Sequence, residues 1–130
     1  MEVFLGGTTN NSTWRKKIIP QLEIDYFDPV VDDWDEEAKE LELEKRGTCD
    51  FLLYVITPKM KGVYSIAEAV DDSNKRPEKT ILCVLDEDGD KEWTKQQKRS
   101  LESVKKMVAE NGATVSEDLD EVVYLLNTYE

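Results

Sequence analysis

Residues 51–56 read FLLYVI and residues 80–85 read TILCVL. Both stretches are unbroken apolar runs between polar segments, which is typical of parallel strands that are covered on both faces. Neither run approaches the roughly 20 apolar residues that a membrane span needs. We therefore expect these two stretches to be the central strands of an α/β protein.

The segments around these strands alternate between strand and helix patterns. Strands are predicted at residues 3–5, 25–31 and 113–115, and helices at residues 12–22, 32–46, 65–72, 91–110 and 119–126. The apolar residues expected to form the core are Trp14, Ile18, Leu22, Phe51, Leu53, Val55, Ile81, Cys83, Leu85, Val122 and Leu126. Strands that alternate with helices predict right-handed crossovers and a parallel sheet with helices on both faces.

Five such units fit a single flavodoxin-like domain over residues 1–130, a doubly wound sheet with strand order 2-1-3-4-5. In that fold the loops at the carboxyl ends of the strands meet in one crevice. The loops in question are residues 6–13, 31–34, 57–65 and 85–90. We look for functional residues there.

The charge balance excludes several classes of function. Seventeen Lys and Arg residues stand against 29 Asp and Glu residues, so the formal net charge is −12. Such an excess of acid repels phosphate backbones, so we expect no nucleic-acid partner. The sequence has no His, which removes Ser-His-Asp and Cys-His catalysis and the commonest transition-metal ligand. Catalysis must then use carboxylates, Tyr, Ser, Thr or Lys.

Two features of the chain indicate its compartment. Cys49 and Cys83 lie beside or inside apolar runs, which is typical of buried free thiols in a reducing compartment. The first residues, MEVFLGG, lack the basic region and the long apolar run of a signal peptide. We expect a cytoplasmic protein without a membrane partner.

The first loop is rich in glycine and precedes a helix. Gly6, Gly7 and Thr8 follow the first strand, where backbone N–H groups suit an anion or a ribose hydroxyl. The loop has neither the spacing of a dinucleotide fingerprint nor that of a P-loop. The alternative is a tight turn followed by a helix cap.

The segment from Gly62 to Glu68 also has two interpretations. Ser65 and Glu68 have the spacing of a capping box, which would explain both residues without a function. Alternatively, Glu68 lies in the first turn of a helix that points into the crevice, where the helix dipole keeps the carboxylate ionised as a nucleophile. Gly62 would then let the backbone approach a ligand. The pattern alone does not decide between them.

Four motifs together resemble the nucleoside 2-deoxyribosyltransferase-like family. They are FLGGT at residues 4–8, DYFDPVVDDW at 25–34, CDFLLYVITP at 49–58 and GVYSIAEAVDDS at 62–73. The resemblance covers residues 3–86 and implies a flavodoxin-like fold. It also implies that Glu68, three residues after Ser65, is the catalytic nucleophile.

The family also carries an acidic residue about two helical turns before the Asp that opens the third strand. Glu42 stands at that distance from Asp50, so the resemblance implies that Glu42 is a second catalytic carboxylate. The alternative is a solvated position on a helix that also carries Glu40 and Glu44.

The chain departs from the family pattern at two places. Many transferases carry a Tyr where this chain has Phe4, and an Asp in the loop that reads KMKG at residues 59–62. Either Asp32, Asp33 and Trp34 hold the nucleobase instead, or this branch catalyses different chemistry.

The resemblance implies cleavage of the N-glycosidic bond of a 2-deoxynucleoside by double displacement. Glu68 would attack the anomeric carbon, and Asp33 or Glu42 would protonate the leaving base. Trp34 would stack on the base, and Tyr64 would contact the sugar or orient Glu68. We expect a homo-oligomer that needs no metal and no cofactor.

Two other functions stay open at this point. One is an N-glycoside hydrolase for nucleotides or NAD-like molecules, with a phosphate held by Arg15, Lys16, Lys59 and Lys61. The other is a non-catalytic nucleotide-binding module of the same fold, since the fold alone does not imply an activity.

Overall fold

The computed structural model describes residues 1–9, 11–31 and 34–129. The strands are β1 (Glu2–Gly7), β2 (Asp25–Phe27), β3 (Phe51–Ile56), β4 (Thr80–Val84), β5 (Glu87–Asp88), β6 (Lys91–Glu92) and β7 (Thr114–Ser116). The helices are α1 (Trp14–Ile18), α2 (Glu36–Thr48), α3 (Tyr64–Lys75), α4 (Lys95–Glu110) and α5 (Leu119–Thr128). Among these, no helix is long and apolar enough to cross a membrane.

Five strands form one parallel sheet in the order β2-β1-β3-β4-β7. Leu5 of β1 lies opposite Leu53 of β3, which lies opposite Ile81 of β4. All residues of β3 and β4 are buried, as the apolar runs predicted. The sheet confirms the single flavodoxin-like domain and its strand order, with β7 as the fifth strand.

The sheet is covered on both faces by separate apolar clusters. One face packs against α1 and α5, and it contains all of the predicted core residues, with Leu22 and Leu85 as half-buried members of its edge. The other face packs against α3 and α4 and is built from Phe4, Leu52, Tyr54, Ile56, Ala69, Leu82, Val84, Trp93, Leu101 and Val108. Helices on both faces are what buries the apolar runs of β3 and β4.

The elements between β1 and α2 are shorter than predicted. Helix α1 ends at Ile18 and a 3₁₀ turn, Ile19–Gln21, follows because Pro20 cannot continue an α-helix. Strand β2 ends at Phe27, two residues before Pro29, and Pro29 has no N–H for a sheet ladder. Helix α2 begins at Glu36, since the Asp35 side chain accepts a hydrogen bond from the Ala38 N–H at 2.8 Å.

The start of α4 also differs from the prediction. Residues 87–92 form the β5–β6 hairpin, with Gly89 at φ +64° in its turn. Helix α4 begins only after Thr94, which forms a reciprocal capping box with Gln97 at 2.9 and 3.1 Å.

Candidate active site

A cavity of about 250 Å³ opens at the carboxyl ends of β1 and β3. This is the point where the strand order reverses, and in doubly wound sheets ligands bind there. The lining residues come from the loop after β1, the segment after β2, and helices α1, α2 and α3: Gly6, Gly7, Thr9, Arg15, Pro29, Val30, Val31, Trp34, Glu42, Ser65 and Glu68. Three of the loops expected to converge therefore do so.

Two further clefts adjoin this cavity. One, of about 350 Å³, is lined by Trp34, Leu43 and Tyr64 together with charged residues of α2. The other, of about 300 Å³, runs along the glycine loop past Gly62. Glu68 lines the cavity and both clefts, so its carboxyl group stands at their junction.

The two glycines of the first loop are required by close packing. A Cβ on Gly6 would lie 2.7 Å from Cε1 of Tyr54, and a Cβ on Gly7 would lie 2.1 Å from the carbonyl oxygen of Val55. Gly7 also has φ +119°, which favours glycine. The bare backbone of this loop forms one wall of the cavity.

Thr8 and Arg15 hold that wall in place. The Thr8 Oγ1 accepts a hydrogen bond from the Thr57 N–H at 2.9 Å. The buried Arg15 guanidinium donates to the carbonyl of Leu5 at 3.0 and 3.1 Å and to that of Thr8 at 2.8 Å. Burial lowers the pKa of Arg15 to about 10, and the nearby Asp28 opposes this shift. Most donors of Arg15 are therefore occupied by the protein itself.

The structure excludes the capping interpretation of Ser65 and Glu68. Helix α3 begins one residue earlier, at Tyr64, and its N-cap residue, Val63, makes no side-chain hydrogen bond. Ser65 thus lies inside the first turn, and Glu68 is the fifth residue of the helix, beyond the first turn that was predicted. The effect of the helix dipole falls off within one turn, so it contributes little to Glu68.

Glu68 instead interacts with Glu42 across the cavity. Burial first, and then the neighbouring Glu42 carboxyl, raise the pKa of Glu68 to about 8, and Arg46 opposes the shift. The Trp34 indole N–H donates to Oε2 of Glu42 at 3.3 Å. At neutral pH the two carboxyl groups therefore hold a proton between them, whereas the sequence led us to expect an ionised Glu68.

Behind Glu68 lie three residues that the sequence analysis missed. Arg46 Nη1 is 3.5 Å from Oε2 of Glu68, and Arg46 Nε is 3.0 Å from Oδ2 of Asp72. The Tyr54 hydroxyl donates to the same Asp72 oxygen. One signal was available, because Glu42 and Arg46, and likewise Glu68 and Asp72, are four residues apart and share a helix face.

The other predicted site residues have less constrained surroundings. Trp34 and Tyr64 are exposed over 59% and 69% of their surface, and both line the adjoining cleft of about 350 Å³. A Cβ on Gly62 would meet nothing within 4 Å, so protein packing does not require glycine there. Asp32 and Asp33 lie outside the described residues.

Four basic residues were expected to bind a phosphate. Arg15 lines the cavity, whereas Lys16, Lys59 and Lys61 line neither the cavity nor the two adjoining clefts. Lys59 Nζ lies 3.8 Å from Asp88 on the β5–β6 hairpin and donates to the Asn11 carbonyl at 3.4 Å. Ser12 also donates to Asp88, at 2.6 Å. These contacts tie the glycine loop to the hairpin at the rim of the site.

A comparison with known families gives a match over most of this chain. The family model described as nucleoside 2-deoxyribosyltransferase like matches residues 1–87, which include β1 to β4 and the residues around Glu68 described above. No curated protein matches the chain. Since the matched segment is well over half of the sequence, the chain belongs to the nucleoside 2-deoxyribosyltransferase-like family.

Proposed function

We propose that this protein cleaves the N-glycosidic bond of a 2-deoxynucleoside and transfers the deoxyribosyl group to a second base. The observation that carries the proposal is the pair of carboxyl groups, Glu68 and Glu42, at the junction of the clefts. Two carboxyl groups at one glycosidic bond can divide the roles of nucleophile and acid.

Glu68 is the nucleophile in this mechanism. Its carboxylate oxygen bonds to the anomeric carbon as the C–N bond breaks, and the bonding pair leaves with the base. The carboxylate also stabilises the positive charge that develops on the sugar before the new bond forms. An acceptor base then attacks the same carbon and releases Glu68, which completes the transfer.

Glu42 is the acid that assists the departing base. In the reactive arrangement the proton of the pair is on Glu42 and the charge is on Glu68. Glu42 gives this proton to the base as it leaves and recovers a proton from the acceptor base, so the two half-reactions balance. The indole N–H of Trp34 keeps the Glu42 carboxyl group oriented.

The surrounding surfaces suit the two halves of a nucleoside. The backbone of Gly6 and Gly7 lets a sugar ring approach the end of β1 closely. The cleft with Trp34 and Tyr64 offers aromatic faces against which a base stacks. Glu68 stands between these surfaces, where the glycosidic bond would lie.

The test is base exchange between a deoxynucleoside and a free acceptor base, followed by chromatography. We expect exchange by the wild-type protein and a loss of about 10³-fold or more in Glu68→Gln. Glu40→Gln removes a solvent-exposed carboxyl from α2 and serves as the matched control, with unchanged exchange. A deoxyribosyl adduct on Glu68, detected by mass spectrometry, would support the covalent step.

Two results would contradict the proposal. Free sugar without exchange would assign the protein as a hydrolase. Binding of nucleosides without any turnover would assign it as a binding module.

A further inference from the structure

Arg46 and Asp72 form a buried ion pair directly behind Glu68. The side chain of Arg46 is 8% exposed and that of Asp72 is fully buried. Nε and Nη2 of Arg46 donate to the two oxygens of Asp72 at 3.0 and 3.2 Å. Such a two-point contact fixes the plane of the guanidinium as well as its position.

Asp72 is itself held by a residue of the sheet and by the C-cap residue of its own helix. The Tyr54 hydroxyl from β3 donates to its Oδ2, and Arg76 Nη1 donates to its Oδ1 at 2.6 Å. Burial and the Asp72 carboxylate both raise the pKa of Tyr54, so the phenol keeps its proton and acts as a donor. Asp72 is therefore a rigid anchor for Arg46.

The remaining nitrogen of Arg46 faces the catalytic candidate. Nη1 lies 3.5 Å from Oε2 of Glu68, a charge contact that is longer than the two hydrogen bonds to Asp72. At this distance the positive charge stabilises the carboxylate, while the oxygen keeps its lone pairs for another partner.

The titratable groups around Glu68 include both acids and bases. They are Glu42 and Arg46 on α2, Asp71 and Asp72 on α3, Tyr54 on β3, and Arg15, which lines the same cavity from α1. Lys39 and Tyr64 line the adjoining cleft. Of these groups, Arg46 is the one that forms an ion pair with Glu68.

We propose that Arg46 is a positioning residue for Glu68: anchored by Asp72, it directs the Glu68 carboxylate into the cavity and stabilises its ionised form. This inference rests on the proposed function, because it concerns the nucleophile of that reaction. It goes further in naming the residue that orients the nucleophile and stabilises its charge.

The contact matters in both half-reactions. When Glu68 bonds to the sugar it loses its charge, and when the acceptor base releases it the charge returns beside Arg46. A fixed cation at that place stabilises the carboxylate as a leaving group without any rearrangement. This electrostatic role is distinct from packing.

The experiment compares Arg46→Gln with Arg76→Gln. Both variants remove a guanidinium from Asp72, but only Arg46 contacts Glu68. The measurement is the pH titration of the Glu68 carboxyl carbon by NMR of ¹³C-glutamate-labelled protein, with the signal assigned by its loss in Glu68→Gln. We expect the midpoint to rise by about one pH unit in Arg46→Gln and to stay within about 0.3 unit in Arg76→Gln.

The base-exchange reaction gives a second readout. We expect kcat to fall by about 10- to 100-fold in Arg46→Gln with little change in KM, and to stay near wild type in Arg76→Gln. If Arg46→Gln does not fold, Arg46→Lys takes its place. A lysine cannot contact both Asp72 oxygens and Glu68 at once. We therefore expect the titration midpoint of Glu68 to rise in Arg46→Lys as well, but by less than in Arg46→Gln.

The outcomes separate the two proposals. Equal midpoints in the Arg46 variant and the wild type would overturn the positioning role, whatever the exchange activity. Equal effects of the Arg46 and Arg76 variants would do the same, since they would indicate a purely structural network. A selective shift in Arg46→Gln together with an inactive wild type would uphold the contact and refute the transferase.

Discussion

The charge of Glu68 is determined by its neighbours in space rather than by its place on a helix. The dipole of α3 has little effect on Glu68, because this residue lies beyond the first turn of the helix. Burial and the Glu42 carboxyl dominate, and they raise the pKa of Glu68 to about 8. A pair that holds one proton at neutral pH is what a mechanism with one acid and one nucleophile requires.

The pH dependence of exchange follows from this pair. Above about pH 8 the pair loses its last proton, so no acid remains for the departing base. We expect kcat/KM for a deoxynucleoside to fall as the pH rises through about 8, measured between pH 6 and 10. A rate that instead rises through pH 8 would mean that Glu68 acts without a proton from Glu42.

The same pair should cost stability. Folding raises the pKa of this carboxyl from 4.5 to about 8. Between pH 4.5 and 8 the carboxyl is therefore protonated in the folded state but ionised in the unfolded state. The free energy of unfolding therefore falls as the pH rises from about 4.5 to 8, and the cost is complete above 8. We expect Glu68→Gln, which has no charge to bury, to be more stable than wild type at pH 9 by about 1–3 kcal/mol.

Urea unfolding at pH 5 and pH 9 measures this difference. The gain of Glu68→Gln should nearly disappear at pH 5, where the wild-type carboxyl is protonated in the folded state. Glu40→Gln, at an exposed position of α2, should show no such dependence. A Glu68→Gln protein that is less stable than wild type at pH 9 would show that the carboxylate stabilises the fold.

At the scale of elements, the two central strands were predicted better than the helix ends. Burial on both faces leaves an unbroken apolar run, so β3 and β4 are visible in the sequence to within one residue. The start of α3 was not, because its N-cap residue, Val63, offers no side-chain cap, and the spacing of Ser65 and Glu68 suggested another start. The two-residue strands of the β5–β6 hairpin are too short to show an alternating pattern.

The glycine loop offers a test of the contact between β1 and β3. A Cβ on Gly7 would lie 2.1 Å from the Val55 carbonyl oxygen at a residue with φ +119°, whereas a Cβ on Gly62 would lie in open space. We expect Gly7→Ala to lose more than about 3 kcal/mol of stability and Gly62→Ala less than about 1 kcal/mol. Denaturant unfolding measures both, and equal losses would contradict the different roles of the two glycines.

At the scale of the whole molecule, the site depends on how two helices are rotated against one sheet. The doubly wound topology, which the alternation of elements predicts, brings the loops after β1, β2 and β3 to one edge. It does not predict that α2 and α3 turn Glu42, Arg46 and Glu68 towards each other. The spacing of four residues places Glu42 with Arg46 on one face of α2, but the direction in which that face turns follows from side-chain packing between the helices.

The electrostatic potential of the whole protein affects which substrates can enter the cavity. The formal net charge is −12, and two of the acidic residues, Glu42 and Glu68, line the cavity itself. Arg15 lines the cavity, but most of its donors are occupied by the carbonyls of Leu5 and Thr8. Lys59 contacts Asp88 on the hairpin. A 5′-phosphate would therefore meet a negative potential with little compensating contact.

We accordingly expect a deoxynucleoside to be exchanged with a kcat/KM at least about tenfold higher than that of its 5′-monophosphate at low salt. Part of this preference comes from the long-range electrostatic field of the protein, which salt screens. The ratio of the two kcat/KM values should therefore decrease as salt shortens the Debye length from about 30 Å at 0.01 M to about 8 Å at 0.15 M. The measurement is kcat/KM for both substrates at these two ionic strengths. A preference for the monophosphate at low salt would require a phosphate site that outweighs the charge of the molecule, and would favour the nucleotide hydrolase.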